Sequence, residues 1–318
     1  VALNLQQVGR LTHDLVEEVS KAIVGKEAVL RKVAMAILAD GHLLIEDYPG
    51  LGKTIMAKSF AAVLGCEFKR VQFTPDLLPA DITGSYMLDR KAGDFVLRRG
   101  PVFTNVLLAD EINRAPPKTQ AALLEAMQER QTTLEGETHP IGSPFLVMAT
   151  QNPIEFEGTY PLPEAQIDRF IMRIGMGYPA ADDEVEMLSR RVARKQDLVE
   201  MDRIANPTQV LEMQAAVEEV FVEEDVERYM VELVRRTRTH SRVEVGASPR
   251  GSLALLKLSR AWAAIEGRDF VVPDDIKEIA VDALAHRLIL KPDPMIRGVL
   301  PATIVQEVLR DVPVPKVD

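Results

Sequence analysis

The chain holds one cysteine, Cys66, one tryptophan, Trp262, and five histidines in 318 residues. A single thiol excludes an intrachain disulfide framework. Cys66 follows Gly65 at an expected helix end and reads as a small buried hydrophobe. The histidines, at positions 13, 42, 139, 240 and 286, are too scattered for a metal-ligand set; His42, beside an apolar run, reads as packing. No apolar run reaches the ~18 residues of a membrane span. The N-terminus as given lacks the charged-then-apolar layout of a secretory signal, so cytoplasm is the expected location. Repeats and low-complexity tracts are missing too. Basic charge is in deficit: 48 acidic against 38 basic residues give a net charge of -10 and a pI near 5.2. That balance argues against non-specific nucleic-acid binding as the main task.

What is present is an ordinary globular composition, 47% hydrophobic and 27% charged, enough for a sizeable core. The length suits one large or two ordinary domains of ~100–200 residues. Apolar spacing predicts helices over 5–21 and 27–39. Buried strands are expected at His42–Ile45, Phe68–Phe73, Asn105–Ala109, Phe145–Ala149 and Phe170–Met176. Apolar strands separated by helices imply a parallel sheet covered on both faces. Residues 86–97 and the turn near 132–137 read as hairpins. From about residue 180 the pattern is helical, over 182–194, 207–220, 224–239, 249–266, 274–287 and 301–311. Ser248-Pro249 is a clear helix start, and Trp262 reads as core of this second part.

Three stretches carry chemistry. Glu46-Asp47-Tyr48-Pro49-Gly50-Leu51-Gly52-Lys53-Thr54 lies between an apolar strand and a helix, the layout of a phosphate-binding P-loop. Glycines let several N–H groups curl toward one anion, and the helix start adds its positive end. Lys53 can reach outer phosphates and Thr54 can place a hydroxyl on Mg2+. Asp47 stands where G-x-x-x-x-G-K-T has its first glycine, which Asp's tolerance of unusual backbone angles is expected to accommodate. A strand-to-helix turn with a chance Gly-Lys-Thr is the bland alternative. Asp110-Glu111 ends another buried strand, so one carboxylate can hold Mg2+ through water and the other can polarise an attacking water. The bland alternative is a solvated pair. Asn152 follows a third strand, where its amide can orient water or contact a phosphate; by itself it reads as an Asn-Pro turn.

These residues, with Leu107-Leu108-Ala109-Asp110-Glu111-Ile112-Asn113-Arg114-Ala115, Ala149-Thr150-Gln151-Asn152-Pro153, Leu162-Pro163-Glu164-Ala165-Gln166-Ile167-Asp168-Arg169-Phe170 and Gly246-Ala247-Ser248-Pro249-Arg250, resemble the AAA+ ATPases, specifically the MoxR group. The resemblance implies an α/β P-loop NTPase core with a five-stranded parallel sheet over residues 1–179 and an all-α lid over 180–318. It also implies a helix-2 insert hairpin near 84–100 and a pre-sensor-1 hairpin near 130–145. Lys53 and Thr54 then resemble the Walker A pair, after Pro49, Gly50, Leu51 and Gly52. Asp110 and Glu111 resemble the Walker B acids, Asn152 the sensor 1 residue, Arg169 an arginine finger and Arg250 sensor 2. Val24 and Gly25 resemble the segment lining the adenine pocket. ATP and Mg2+ are the implied ligands. The implied assembly is a homo-oligomeric ring, usually of six, acting on protein clients, often with von Willebrand factor A-type partners. A nucleic-acid remodeller is the alternative. Arg90, Lys91, Arg98 and Arg99 on one hairpin fit it weakly, Glu-Gly-Glu-Thr-His at 135–139 does not, and Arg235, Arg236, Arg238 and Arg242 read as a solvated face or a basic patch.

Overall fold

The computed structural model describes residues 3–89, 91, 93–153 and 158–315. Two amphipathic helices, α1 (Leu5–Ser20) and α2 (Glu27–Leu38), precede β1 (Leu43–Glu46), α3 (Lys53–Val63) and β2 (Phe68–Gln72). A short helix α4 (Pro79–Thr83) leads into a hairpin, β3 (Gly84–Asp89) and β4 (Asp94–Arg99). Then come β5 (Val106–Asp110), a 3-10 turn Ile112–Arg114, and α5 (Pro117–Glu129). A second hairpin, β6 (Gln131–Leu134) with β7 (Glu137–Pro140), precedes β8 (Leu146–Gln151), α6 (Glu164–Ile167) and β9 (Met172–Ile174). Arg90 and Ala92 lie outside the described residues.

Strands β2, β5, β8, β1 and β9 form one sheet in that order, and every pairing in it is parallel. The period of two along a strand sends alternate side chains to opposite faces. Leu43 and Ile45 of β1, Leu108 of β5 and Met148 of β8 enter one apolar cluster. Leu44, Leu107, Val147 and Ala149 enter the other, with Leu123, Leu124 and Met127 of α5. Both faces are covered, which explains the continuous apolar runs of these strands.

Past β9 the chain is mainly helical: α7 (Ala181–Arg194), α8 (Pro207–Glu218), α9 (Glu224–Thr239), α10 (Pro249–Ile265), α11 (Pro273–Leu284), α12 (Pro292–Ile296) and α13 (Pro301–Asp311). Proline at the first helical position recurs because its missing N–H is unpaired there in any case. One departure from an all-helical expectation is a small antiparallel pair, β10 (Val243–Val245) with β11 (Ile289–Leu290). The pair is too short to show as an alternating pattern. The first apolar cluster is continuous across residue 180, since α1 and α2 pack with residues of α8, α10 and α11. Trp262 is partly buried against it, with the Arg31 guanidinium 4.9 Å from its ring centroid. Cys66 is half-buried, and burial pushes its thiol up to about 11.

His42 is buried just before β1. Its Nδ1 accepts the Val147 N–H at 3.1 Å, so its proton sits on Nε2, 3.0 Å from the Met127 carbonyl. Burial, aided by the Arg130 charge, lowers it from 6.5 to about 4. Between those values the unfolded chain binds the extra proton. Stability is therefore complete above pH 6.5 and falls with pH through the window, by roughly 1.4 kcal/mol per unit. His42→Asn should cost about 1–3 kcal/mol at pH 7 through the unpaired Met127 carbonyl. It should also lose stability less steeply than the parent between pH 6.5 and 4, which denaturant titrations across that range will measure.

Candidate active site

The segment between β1 and α3 turns through two left-handed glycines, Gly50 and Gly52, each with φ of +82°. An L side chain is strained there. Gly52 caps α3. The first intrahelical bond runs from Met56 N–H to Gly52 O, so the N–H groups of Lys53, Thr54 and Ile55 are the helix's free donors. Lys53 Nζ lies back over the loop, donating to the carbonyls of Asp47 at 2.7 Å and Tyr48 at 3.0 Å. Burial lowers its pKa, against the opposing charges of Asp47, Asp110 and Glu111. Asp47 does not use its backbone as expected, for its φ is not positive. Its buried carboxylate instead accepts N–H groups from Tyr48, Met176 and Gly177.

Asp110 ends β5, two strands from β1 across β8. Strands lie ~4.8 Å apart, so Asp110 stands at the same edge of the sheet as the phosphate-type loop, about two strand spacings away. Thr150 of β8 donates its hydroxyl to Asp110 Oδ1 at 2.6 Å and accepts the Glu111 N–H at 2.8 Å. Glu111 has a φ of +55°, a left-handed conformation that costs a non-glycine residue energy unless its surroundings hold it. Thr150 supplies part of that hold. Arg70 on β2 reaches Asp110 Oδ2 with Nε and Nη2, at 3.1 and 2.7 Å, and Arg114 pairs with Glu111 Oε2 at 2.8 Å. Asn152, just beyond β8, is buried. Gln120, wholly buried on α5, donates to the carbonyls of Ile112, Ala115 and Tyr160. It braces the turn that follows the acids.

Val24 shares a cleft with α3, and Gly25 abuts α7. Val24 is buried and, with Ile55, Ser59 and Met187, lines a mostly apolar cleft of about 610 Å3. Gly25 has a φ of +69°, and a Cβ there would overlap the Asp183 carboxylate of α7. Helix α7 has no buried residue. Its Arg190 Nη1 donates to Ser20 O at 2.8 Å, which holds it over the cleft's rim.

The two arginines are placed elsewhere. Lys53, Asp110, Glu111 and Asn152 all follow the C-terminal ends of strands, whereas Arg169 precedes the N-terminal end of β9. Strands of this length separate those edges by ~13–20 Å. Arg250, in the first turn of α10, joins Arg169: both line a cleft of about 320 Å3 with Arg130, Lys257 and Arg287. Asp168 organises it, accepting the Ser248 hydroxyl at 2.8 Å and pairing with buried Arg287. Arg250 Nε is 4.0 Å from Asp168 Oδ2, and its Nη2 donates to Gln128 at 3.2 Å. Arg169 Nε is buried without a hydrogen-bond partner among the described residues.

Several of these residues gave no warning in the sequence. Arg70 occupies an outward position of β2 like any polar residue there, and Arg287 stands beyond the end of α11 with no motif around it. Thr150 belongs to the quoted Ala149–Pro153 run, but only pairing of β8 with β5 brings it to both acids. Some of the basic residues that would suit a nucleic acid have protein partners. Arg242 pairs with Glu307, Arg236 lies 3.4 Å from Asp311, and the Arg99 guanidinium is 5.1 Å from the Phe103 ring centroid.

Comparison with known proteins agrees with this geometry. Residues 42–172 match the model of the ATPase family associated with various cellular activities, and residues 235–308 match an AAA lid domain. The chain is 45% identical to the uncharacterised protein YeaC of Bacillus subtilis, over 94% of this chain and 93% of that one. It is 42% identical to Chaperone MoxR1 of Mycobacterium tuberculosis, over 95% and 81%. It is 32% identical to Protein MoxR of Methylorubrum extorquens, over 94% and 93%. The crystal structure of a candidate ATPase from Cytophaga hutchinsonii superposes with a TM-score of 0.91 at 40% identity, covering 97% of this chain and 96% of that one. A parallel five-stranded sheet, a glycine loop ending in Lys53-Thr54, an acid pair at the same edge of the sheet two strands away and relatives matched over 81–96% of their length lead to one conclusion: the chain belongs to the MoxR family of AAA+ ATPases.

Proposed function

We propose that this ATPase hydrolyses ATP between adjacent copies of itself and uses the cycle to remodel or mature partner protein complexes. The observation that carries the reading is the Thr150-bridged pair Asp110–Glu111 beside the Lys53 loop. In this reading the free N–H groups at the start of α3 and Lys53 bind the triphosphate, with Lys53 exchanging two carbonyls for phosphate oxygens. Pro49, Gly50, Leu51 and Gly52 shape that cradle, while Val24 and Gly25 face the base in the apolar cleft. Thr54 and Asp110 offer hard oxygen donors that fit Mg2+, Asp110 through water, and the ion would neutralise phosphate charge. Glu111 accepts a proton from the attacking water as its oxygen bonds to the γ-phosphorus and the bond to the bridging oxygen breaks. Asn152 orients that water or the terminal phosphate.

Arg169 and Arg250 share a face remote from their own chain's Lys53, so each serves the neighbour's triphosphate. Positive charge there offsets the charge that spreads over the γ-phosphate in the transition state. Such a head-to-tail contact closes a ring when the rotation closes, six copies being the number the family suggests. Residues 1–179, with the hairpins β3–β4 and β6–β7 as inserts, act as the nucleotide core and 180–318 as the lid. Protein clients follow from the chaperone-named relative, and von Willebrand factor A-type partners are the first to test. ATP supply and an unpaired Cys66 suit the cytoplasm.

Glu111→Gln should keep ATP binding and lose about 10^2–10^4-fold in phosphate release. Arg169→Ala should lose about 10^3–10^5-fold by itself, and activity should return in part when it is mixed with Glu111→Gln subunits. Arg250→Ala mixed the same way should also recover; no recovery would mean that Arg250 serves its own chain. Thr150→Val should lower stability by about 1–3 kcal/mol and slow phosphate release, while Thr150→Ser retains both, as read by denaturation and a phosphate assay.

A further inference from the structure

Asp47 occupies the position where loops of this kind begin with glycine, and every polar group it has is engaged. Its N–H donates to Gln151 O at 3.2 Å, extending the β1–β8 ladder to the residue before Asn152. Its carbonyl accepts Lys53 Nζ at 2.7 Å. Oδ1 accepts the Tyr48 N–H at 2.8 Å, and Oδ2 accepts the consecutive N–H groups of Met176 and Gly177, each at 2.6 Å. The residue is 7% exposed. Met176 and Gly177 belong to the connector between β9 and α7. Two more contacts fasten that connector. The Tyr48 and Tyr178 rings stack with centroids 5.8 Å apart, and Lys26 Nζ donates to Tyr178 O at 2.8 Å.

We infer that Asp47 is a positioning residue that joins the phosphate loop and the 175–180 connector into one unit, so that a change at Lys53 is passed to α7. The inference rests on reading the loop as a triphosphate site. The chemistry requires a carboxylate. Both oxygens accept N–H groups, whereas a carboxamide has one acceptor oxygen and would turn its NH2 against an amide donor. Glycine would restore the usual loop sequence and remove the clamp. Lys53 holds the Asp47 and Tyr48 carbonyls; when it turns to phosphate, those carbonyls are released. Both residues contact the connector through their side chains, so the loop cannot relax without moving it.

The test compares the full-length parent with Asp47→Gly and Asp47→Asn. It uses amide hydrogen exchange with and without saturating Mg-ATP, calorimetric Mg-ATP binding and steady-state hydrolysis. In both variants exchange at Met176 and Gly177 should accelerate about tenfold or more, with Leu44 and Ile45 of β1 unchanged as the sign of an intact fold. In the parent, Mg-ATP should alter exchange along α7, and in the variants it should not. The variants' kcat should fall about tenfold or more with KM for Mg-ATP changed far less. Should Asp47→Asn fail to fold, Asp47→Gly carries the comparison. An Asp47→Gly protein with parental kcat and parental exchange at Met176 and Gly177 overturns the inference, as does a parent whose α7 is indifferent to bound Mg-ATP. A parent that takes up no Mg-ATP defeats the proposed function instead. The exchange of Met176 and Gly177 without nucleotide still reports the clamp separately.

Discussion

Thr150 lies between two acids and bonds to both, through its hydroxyl proton toward Asp110 and its oxygen toward the Glu111 amide. The site depends on that bridge. Glu111 has turned into a left-handed conformation that ends β5 and starts the 3-10 turn, so its side chain points away from the strand instead of continuing the sheet. Without a partner for its N–H, that conformation would carry both strain and an unpaired, partly buried donor. The bridge exists because β5 and β8 are parallel neighbours in fixed register, Ala109 beside Ala149, which brings the next residue of each strand to the same edge.

The same parallel arrangement divides the charged residues. All strands run one way, so one edge of the sheet collects the residues that follow strands and the opposite edge those that precede them. Lys53, Asp110, Glu111 and Asn152 fall on the first edge, Arg169 on the second, with Arg250 and Arg287 brought to it by α10 and the end of α11. A single copy therefore presents two unlike charged edges. On the proposed reading, this is why turnover depends on assembly: the stabilising guanidinium cannot reach its own chain's loop without crossing the sheet.

Packing joins the helical part to the core. One apolar cluster includes α1 and α2, one face of the sheet and the helices beyond residue 180. The N-terminal helices thus act as a shared wall. What lies outside that wall is α7, exposed along its length and fastened near its start by the connector. A helix with so little buried area has less to lose on moving than its neighbours have.

The sequence by itself determined the elements and the kinds of chemistry. Apolar spacing located the five strands and the long helices within a few residues, because burial on one or both faces dictates which positions must be apolar. The glycine loop and acid pair were legible because their function demands particular residue types at adjacent positions. Tertiary structure decided what distant residues do together. Strand order and register brought Thr150 and Arg70 to Asp110, chain direction placed Arg169 away from Lys53, and α10 brought Arg250 to Arg169. Folding of the 175–180 connector against the loop gave Asp47 a carboxylate's task where backbone tolerance had been expected. None of these could be seen along the chain, because each is a contact between segments whose separation in sequence carries no pattern.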